Sequence, residues 1–308
     1  MDLTVAICTY RRFDLLQTTL RSLSACQRLD IAWELLLIDN GCDGRIEALA
    51  SRFTDRLPVR YIAEPRLGAS FARNRATREA AAPVVLFTDD DVTFDPAWLV
   101  NMWRAIIARP DCAFWGGRVE PVWDRPRPAH FRPELCPTLA DAIVQYDRGP
   151  ASRYWDAASD PPFYTANLAL RTGVIAAAGY FDTTVGHRGD RRMGMEDSLM
   201  VKAIAAAGGR GWYAADAFVH HPVPHERVTP VYLRHFALRQ AWLSTRMHRT
   251  GPGHSVPTWF YRTAVESCAR GLGRWCRGRL DGDEGAAFAG QFSALYAAGR
   301  LYYALVRA

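Results

Sequence analysis

The feature that most constrains the fold is an alternation of strand-like and helix-like segments in the N-terminal part of the chain. Short, nearly continuous apolar runs occupy residues 3–8, 33–40, 59–64 and 84–88, and helical patterns occupy 11–26, 46–53 and 69–82. Apolar strands that alternate with helices predict a parallel sheet covered by helices on both faces. We therefore predict an α/β fold with a Rossmann-like, mostly parallel central sheet.

The C-terminal part has a different character from about residue 229 onward. Segments 231–249, 259–275 and 288–305 have the pattern of amphipathic helices, and their polar faces carry many arginines and few acids. The sequence thus predicts a main domain over residues 1–228 and a helical region over 229–308. That region is expected to pack on the main domain, lie at a membrane surface or form a homodimer.

Composition and charge leave several partner classes open. The formal net charge of +6 and the pI of about 9.0 permit nucleic acid, anionic membrane or phosphorylated small molecules as partners. The seven cysteines contain no C-x-x-C pair, which indicates reduced thiols rather than zinc or a disulfide scaffold. No signal peptide or spanning apolar run is recognisable, so we expect a cytoplasmic protein, with contact at the inner face of the membrane as an option.

Polar residues follow three of the predicted strands. Thr9, Asp39 and the run Asp89 to Asp91 each stand at the carboxyl end of a strand. In open α/β sheets, ligands bind outside the carboxyl ends of the strands. These side chains are therefore expected to line one rim of the sheet.

Three consecutive carboxylates at such a rim suit a hard cation, Mg²⁺ or Mn²⁺. In an extended backbone the D-x-D spacing puts Asp89 and Asp91 on the same side. One would take the metal and the other a sugar hydroxyl. The alternative is a solvated acidic turn.

A further carboxylate pair, Glu196 and Asp197, begins a predicted helix over residues 196–208. First-turn acids complement the helix dipole, which is the simpler interpretation. The dipole is also expected to lower the pKa of Asp197 and keep it ionised, as a general base must be.

Seven segments in order give the chain its resemblance to a family. They are ICTYRR, LLIDNG, LGASFARN, FTDDDV, WGGRV, MGMEDSLM and VHHPVPHERVT, between about residues 3 and 228. In this order and spacing the chain resembles a family 2 glycosyltransferase of the GT-A fold. The resemblance implies a hexosyltransferase-like enzyme that uses a nucleotide-sugar donor.

The resemblance also implies roles for individual positions. Nucleotide and donor contacts fall on Thr9, Asp39, Gly68, Arg73, Asn74, Asp89, Asp90, Gly116 and Gly117. The metal site falls on Asp91, Asp89 and His221, with His220 as second choice, and the catalytic base on Asp197. Two departures, Thr165-Ala166 and Met195 where the family often has glycine, bear on acceptor-side geometry.

Two inferences concern the reaction. A single base opposite the leaving diphosphate predicts direct displacement with inversion at the anomeric carbon. A carboxylate only accepts hydrogen bonds, so Asp39 favours bases with a ring N–H on the pairing edge. We therefore expect UDP, dTDP or GDP donors rather than CDP.

The acceptor is less constrained. Arg188, Arg191 and Arg192 precede Asp197 and could hold an anionic or lipid-linked acceptor, hold the departing nucleotide, or form a solvated lid. The expected product is a cell-surface glycan, a lipid-linked intermediate or a glycosylated small molecule. Basic and aromatic residues are frequent in the helical region: Arg234, Arg239, Arg246, Arg249, Arg262, Arg270, Arg274, Arg277 and Arg279, with Trp242, Trp259, Phe260, Tyr261 and Trp275. This composition favours an anionic lipid surface, with a helical cap or dimer surface as the alternative.

Three other functions compete. A nucleotidyltransferase would carry a glycine-rich loop after the first strand, where this chain has CTYRRF. A nucleic-acid-binding protein is disfavoured because no recognised motif is present and the rim carboxylates would repel phosphate. A catalytically inactive scaffold is the third, although both carboxylate motifs are intact.

Overall fold

The computed structural model describes residues 1–189, 194–249 and 255–306. The chain forms two compact units, one of residues 1–120 and 146–221 and the other of 121–145 and 222–308. The predicted boundary near residue 228 stays a prediction. Within the described ranges, no helix combines the length and apolarity needed to cross a bilayer.

The secondary structure alternates as predicted over the first four strands. The strands are β1 Leu3–Thr9, β2 Trp33–Asp39, β3 Val59–Ala63, β4 Val84–Asp89, β5 Thr93–Phe94, β6 Cys112–Trp123, β7 Arg153–Trp155, β8 Asn167–Arg171 and β9 Arg210–Val223. The helices are α1 Phe13–Ser24, α2 Gly44–Ser51, α3 Ala69–Glu79, α4 Trp98–Ala108, α5 Thr138–Asp141, α6 Thr172–Ala177, α7 Glu196–Ala206, α8 Pro230–His248, α9 Thr258–Asp281 and α10 Glu284–Leu305, with a 3-10 turn at His225–Val228.

The sheet has the order β3-β2-β1-β4-β8-β6-β9-β5, with β7 paired to β9. The first four strands are parallel, and β1, β2 and β4 are almost wholly buried. Their apolar sequences fit this position, because a parallel strand covered on both faces has no polar side to show. The predicted mixed α/β class is confirmed, and β8 continues the sheet in antiparallel orientation.

The strand register assembles the predicted rim. Thr9 pairs with Asp39, and the preceding residue, Cys8, pairs with Asp89. The last residues of β1, β2 and β4 therefore lie side by side at the carboxyl edge of the sheet.

Two elements differ from the sequence prediction. The sequence of residues 211–223 predicts short strands, whereas residues 210–223 form one 14-residue strand, β9. Strand β9 pairs with β5 and β7, so long-range pairing holds it extended. Helix α4 lies in a stretch whose pattern is less regular, and its Trp98 donates a 2.9 Å hydrogen bond to the buried side chain of Asn167.

The second unit contains the three predicted C-terminal helices. Thr229 caps α8 through a hydrogen bond from the Tyr232 amide, Asp283 caps α10, and α9 ends at Gly282 in the left-handed conformation. Its core is formed by Phe131, Cys136, Leu139, Ala142, Ile143, Val223, Val228, Leu233, Phe236, Ala237, Phe288, Ala289 and Phe292. Apolar residues of α8 and α10 thus have buried partners within this unit.

Candidate active site

A group of side chains that could hold a metal ion lies at the carboxyl end of β4. Asp89, Asp91 and His221 each offer a ligand atom, and these atoms all lie within 4.8 Å of one another. Nε2 of His221 is 3.6 Å from Oδ1 of Asp91, and the His221 side chain is buried. The antiparallel pairing of β5 with β9 places the histidine here, since Thr93, two residues after Asp91, pairs with His220.

The middle carboxylate of the run has different partners. Asp90 accepts a 2.7 Å hydrogen bond from the hydroxyl of Thr9 and a 3.0 Å bond from Nη1 of Arg12. The same Nη1 donates to Oδ2 of Asp91 at 2.9 Å. Burial raises the pKa of Asp90 to about 6, because desolvation outweighs the attraction of the Arg12 guanidinium.

A buried arginine links the two predicted carboxylate motifs. Arg73 of α3 lies 2.5 Å from Oε1 of Glu196 and 3.8 Å from Oδ1 of Asp89, and its side chain is only 9% exposed. Burial and the neighbouring Asp91 raise the pKa of Asp89, and Arg73 opposes that rise. The guanidinium therefore compensates negative charge from both β4 and the start of α7.

Asp197 stands in the first turn of α7. Its Oδ1 accepts a 2.7 Å hydrogen bond from the Ser198 amide, and its Oδ2 accepts a 3.3 Å bond from the Thr165 amide. Burial, followed by the adjacent Glu196, raises the pKa of Asp197 to about 6. The expectation of a lowered pKa at Asp197 is wrong, because desolvation and like charge outweigh the amide donors, which do act to lower it.

The residue before this helix is strained. Met195 has a φ of 87° and occupies the left-handed conformation immediately before Glu196. Glycine adopts this conformation without the steric cost that a Cβ brings. The geometry thus gives a physical reason why glycine would suit this position.

Asp39, at the end of β2, already has three protein donors. Oδ1 accepts from the Gly41 amide at 2.9 Å, and Oδ2 accepts from the Asp43 amide at 2.7 Å and from the Tyr61 hydroxyl at 3.0 Å. The Asp39 side chain is fully buried. In this structure the carboxylate orders the loop between β2 and α2.

The residues predicted around the nucleotide have structural contacts of their own. The amide of Gly68, whose φ is 142°, donates to Oδ1 of Asn40 at 2.7 Å. Asn74 exchanges two hydrogen bonds with the backbone of Phe181 at 2.9 and 2.8 Å. These contacts join α3 to the loops around it.

Gly116 and Gly117 lie where two elements approach the β6 backbone closely. A Cβ on Gly116 would meet the Phe163 ring at 2.0 Å, and one on Gly117 would meet the Ala217 carbonyl oxygen at 1.9 Å. Close packing therefore requires glycine at both positions, whatever their role toward a donor sugar.

Other predicted residues lie outside the carboxylate group or outside the described ranges. Nδ1 of His220 is 3.5 Å from Oε2 of Glu120, so the second-choice histidine faces a different partner. Arg188 donates a 3.2 Å hydrogen bond to the Leu67 carbonyl. Arg191 and Arg192 lie outside the described residues.

Three residues at the rim escaped the sequence interpretation of the site. Arg12 follows β1 closely enough to reach the carboxylates after β4, a consequence of the parallel pairing of these strands. Tyr61 lies two residues before the β3 partner of Asp39, and so on the same side of the sheet. In the sequence Glu196 has the position of a first-turn acid, and nothing local shows that α3 supplies its buried arginine.

Comparison with solved structures shows the fold. A mannosyltransferase, PcManGT, from Pyrobaculum calidifontis, solved with GDP-Man and Mn²⁺, matches with a TM-score of 0.62 at 18% identity, over 97% of this chain and 87% of that one. The S. aureus protein TarS matches with a TM-score of 0.53 at 16% identity, over 94% of this chain and 55% of that one. The predicted GT-A-like fold is confirmed.

Sequence relatives agree with this fold. The succinoglycan biosynthesis protein ExoM of Rhizobium meliloti is 26% identical over 258 residues, covering 82% of this chain and 74% of that protein. A glucosyl-dolichyl phosphate glucuronosyltransferase of Haloferax volcanii is 24% identical over 225 residues, covering 72% of this chain and 69% of that protein.

The family assignment rests on a direct match. The sequence model of the family described as Glycosyl transferase family 2 matches residues 4–166, more than half of the chain. This range includes Thr9, Asp39 and the run Asp89 to Asp91. The chain belongs to glycosyl transferase family 2, and it is a transferase with a GT-A-like fold.

Proposed function

We propose that the protein is an inverting, metal-dependent glycosyltransferase that moves a sugar from a nucleotide-sugar donor to an acceptor hydroxyl. The observation that carries the proposal is the group formed by Asp89, Asp91 and His221, whose ligand atoms lie within 4.8 Å of one another. The transfer domain is proposed to span residues 1–228, and the protein to work in the cytoplasm.

The donor atoms of this group fit a divalent cation. Two carboxylates favour a hard cation, and an imidazole is accepted more readily by Mn²⁺ than by Mg²⁺, which usually keeps oxygen ligands and waters. The charge on the half-buried Asp89, opposed only in part by Arg73, also favours a cation. When bound, the ion would neutralise charge that develops on the departing diphosphate.

The protein's own groups account for the acceptor side. Asp197 would take the proton of the acceptor hydroxyl, and its pKa of about 6 leaves it mostly ionised at neutral pH. The amides of Thr165 and Ser198 hold its two oxygens in place. With one such base, the hydroxyl attacks on the face opposite the diphosphate, so we propose inversion.

The nucleobase preference rests on Asp39. Its carboxylate offers about four acceptor positions, and three are occupied by protein donors. The fourth position has no donor among these three, and although the side chain is buried in this structure we propose that it accepts a ring N–H, which uracil, thymine and guanine present and cytosine does not. We therefore propose UDP, dTDP or GDP as the nucleotide.

The relatives support a glycan or lipid-linked acceptor. One is named a succinoglycan biosynthesis protein and another a glucosyl-dolichyl phosphate glucuronosyltransferase. The acceptor proposed here is a hydroxyl of a growing cell-surface glycan or of a lipid-linked or other anionic intermediate.

A thermal-shift panel tests the donor site. UDP, dTDP, GDP and CDP are compared with and without Mn²⁺ or Mg²⁺, for the wild type and for Asp91→Ala. Because a ligand that binds only the folded state raises its stability, we expect a metal-dependent shift for UDP, dTDP or GDP that Asp91→Ala abolishes. A stronger shift with CDP would refute the nucleobase proposal, and metal-independent shifts would refute the metal site.

The stereochemical part has its own test. Proton NMR of the new linkage should show the anomeric configuration opposite to that of the donor. Retention would contradict the single-base mechanism while leaving the donor site intact.

A further inference from the structure

The outer face of α9 carries an apolar stripe. Val265, Ala269, Leu272, Cys276 and Leu280 follow one another at intervals of four, three, four and four residues, which puts them on one side of the helix. All five are exposed, with Val265 at 56%, Leu272 at 45% and Leu280 at 87%. A stripe of this kind normally has a partner, and none of the described residues covers it.

The stripe is separate from the contact that holds α9 in its unit. On the opposite side, a Cβ on Gly271 would meet the backbone nitrogen of Ala294 at 2.6 Å, and one on Gly278 that of Ala287 at 2.4 Å. Glycine thus lets the α9 and α10 backbones approach closely. The packing between the two helices does not use the apolar stripe.

Arginines border the stripe on both sides. Arg270 and Arg277, seven residues apart, lie along one edge, and Arg279 lies along the other beside Trp275. Within α9, five arginines stand against two acids, Glu266 and Asp281. Glu266 lies between Arg262 and Arg270, at 3.9 and 3.8 Å, so acids do not form an edge of their own.

We propose that this face of α9 docks on an anionic lipid surface, with the helix in the plane of the membrane. An apolar stripe with basic edges and an interfacial tryptophan matches what a membrane-surface helix needs. A second copy of the chain is the other occupant to consider. It would bring arginine edges against arginine edges, whereas anionic headgroups complement both edges. The proposal does not depend on the transfer reaction.

Vesicle co-sedimentation of the full chain tests the docking. Vesicles of phosphatidylcholine mixed with anionic phosphatidylglycerol should bind the protein at low salt, and salt should weaken binding. Phosphatidylcholine alone should bind it at least about tenfold more weakly, since each arginine near an anionic surface contributes about fivefold. Absence of binding to anionic vesicles at low salt, or equal binding to both vesicle types, would overturn the proposal.

Matched variants localise the effect. Val265→Glu/Leu272→Glu places charges on the stripe, and Ile107→Glu/Leu15→Glu places the same charges on α4 and α1 at matching exposures of 56% and 43%. Only the first pair should abolish vesicle binding, and Arg270→Gln/Arg277→Gln should weaken it by about 25-fold. Equal losses in both glutamate pairs would contradict the assignment to α9. The proposal would also be contradicted by a second pattern of results. In that pattern the wild type forms a dimer in sedimentation velocity and binds no vesicles, and Val265→Glu/Leu272→Glu is a monomer.

Discussion

The ends of β2 and β4 present carboxylates in contrasting states. Asp39 at the end of β2 has three protein donors, two of them backbone amides of the following loop. At the end of β4, Asp89 and Asp90 lie next to Asp91, and burial raises the pKa of both. The comparison indicates that the Asp39 carboxylate orders a loop, whereas the negative charge of the run Asp89 to Asp91 is only partly compensated by Arg12 and Arg73, which favours a cation there.

The largest expected effect is the loss of activity when Asp197, the proposed catalytic base, is replaced. Asp197→Asn keeps an acceptor oxygen but cannot take a proton, so kcat should fall by about 10² to 10⁴-fold. In the wild type, kcat should decrease as the pH falls through about 6, because protonation removes the base. Circular dichroism and a thermal melt serve as the folding control. A residual rate within tenfold of the wild type would contradict the role of Asp197.

The next effect is a loss of stability when Arg73, which compensates negative charge on Glu196 and Asp89, is replaced. Arg73→Met leaves Glu196 buried without its cation, and such a loss costs about 3–5 kcal/mol in the free energy of unfolding. Arg73→Met/Glu196→Met should recover much of this stability in a urea titration. Arg75→Met, which breaks a half-exposed pair with Glu79 on the same helix, is the matched control and should cost below about 1 kcal/mol. Equal costs for the two single variants would contradict the buried-pair account.

A smaller effect is expected at Asp39, the carboxylate at the end of β2. Tyr61→Phe removes one donor from Asp39 and should lower the free energy of unfolding by about 1.5 kcal/mol. The variant should keep kcat, because the loop amides still hold the carboxylate. A loss of kcat as large as that of Asp197→Asn would remove the distinction between the two strand ends.

The smallest effect is expected at Met195, the residue that precedes α7. Met195→Gly relieves a left-handed conformation, so the free energy of unfolding should rise by up to about 1 kcal/mol. Met195→Ala, which keeps the Cβ, is the control and should show no gain. A lower stability for the glycine variant would mean that the Met195 side chain contributes more than its strain costs.

The rim could be predicted because the alternation of strands and helices fixes which ends of parallel strands meet. Thr9, Asp39 and Asp89 end strands that pair in register, which is a consequence of the pattern in the first 90 residues. The proximity of Asp89 and Asp91 was expected from their D-x-D spacing, whereas that of His221 was expected only from the family resemblance. Their roles as ligands stay predictions.

The contacts that escaped prediction all cross between distant elements. Arg73 and Glu196 are separated by 123 positions, and Arg12 and Asp91 by 79. The pKa of Asp197 depends on the burial of its carboxyl group, and burial cannot be predicted from the sequence at the start of one helix. In the sequence, Met195 stands out only as a departure from the glycine that is frequent in the family. Its left-handed conformation, and therefore its strain, is visible only in the backbone of the structure.

The most direct test of the central claim is Mn²⁺ binding followed by electron paramagnetic resonance, with a nucleoside diphosphate present. The wild type and Tyr61→Phe should bind the ion alike, and Asp91→Asn should bind it on the order of 100-fold more weakly, because one of two carboxylate ligands is lost. Unchanged Mn²⁺ affinity in Asp91→Asn would contradict the claim that the carboxylates at the end of β4 form the metal site.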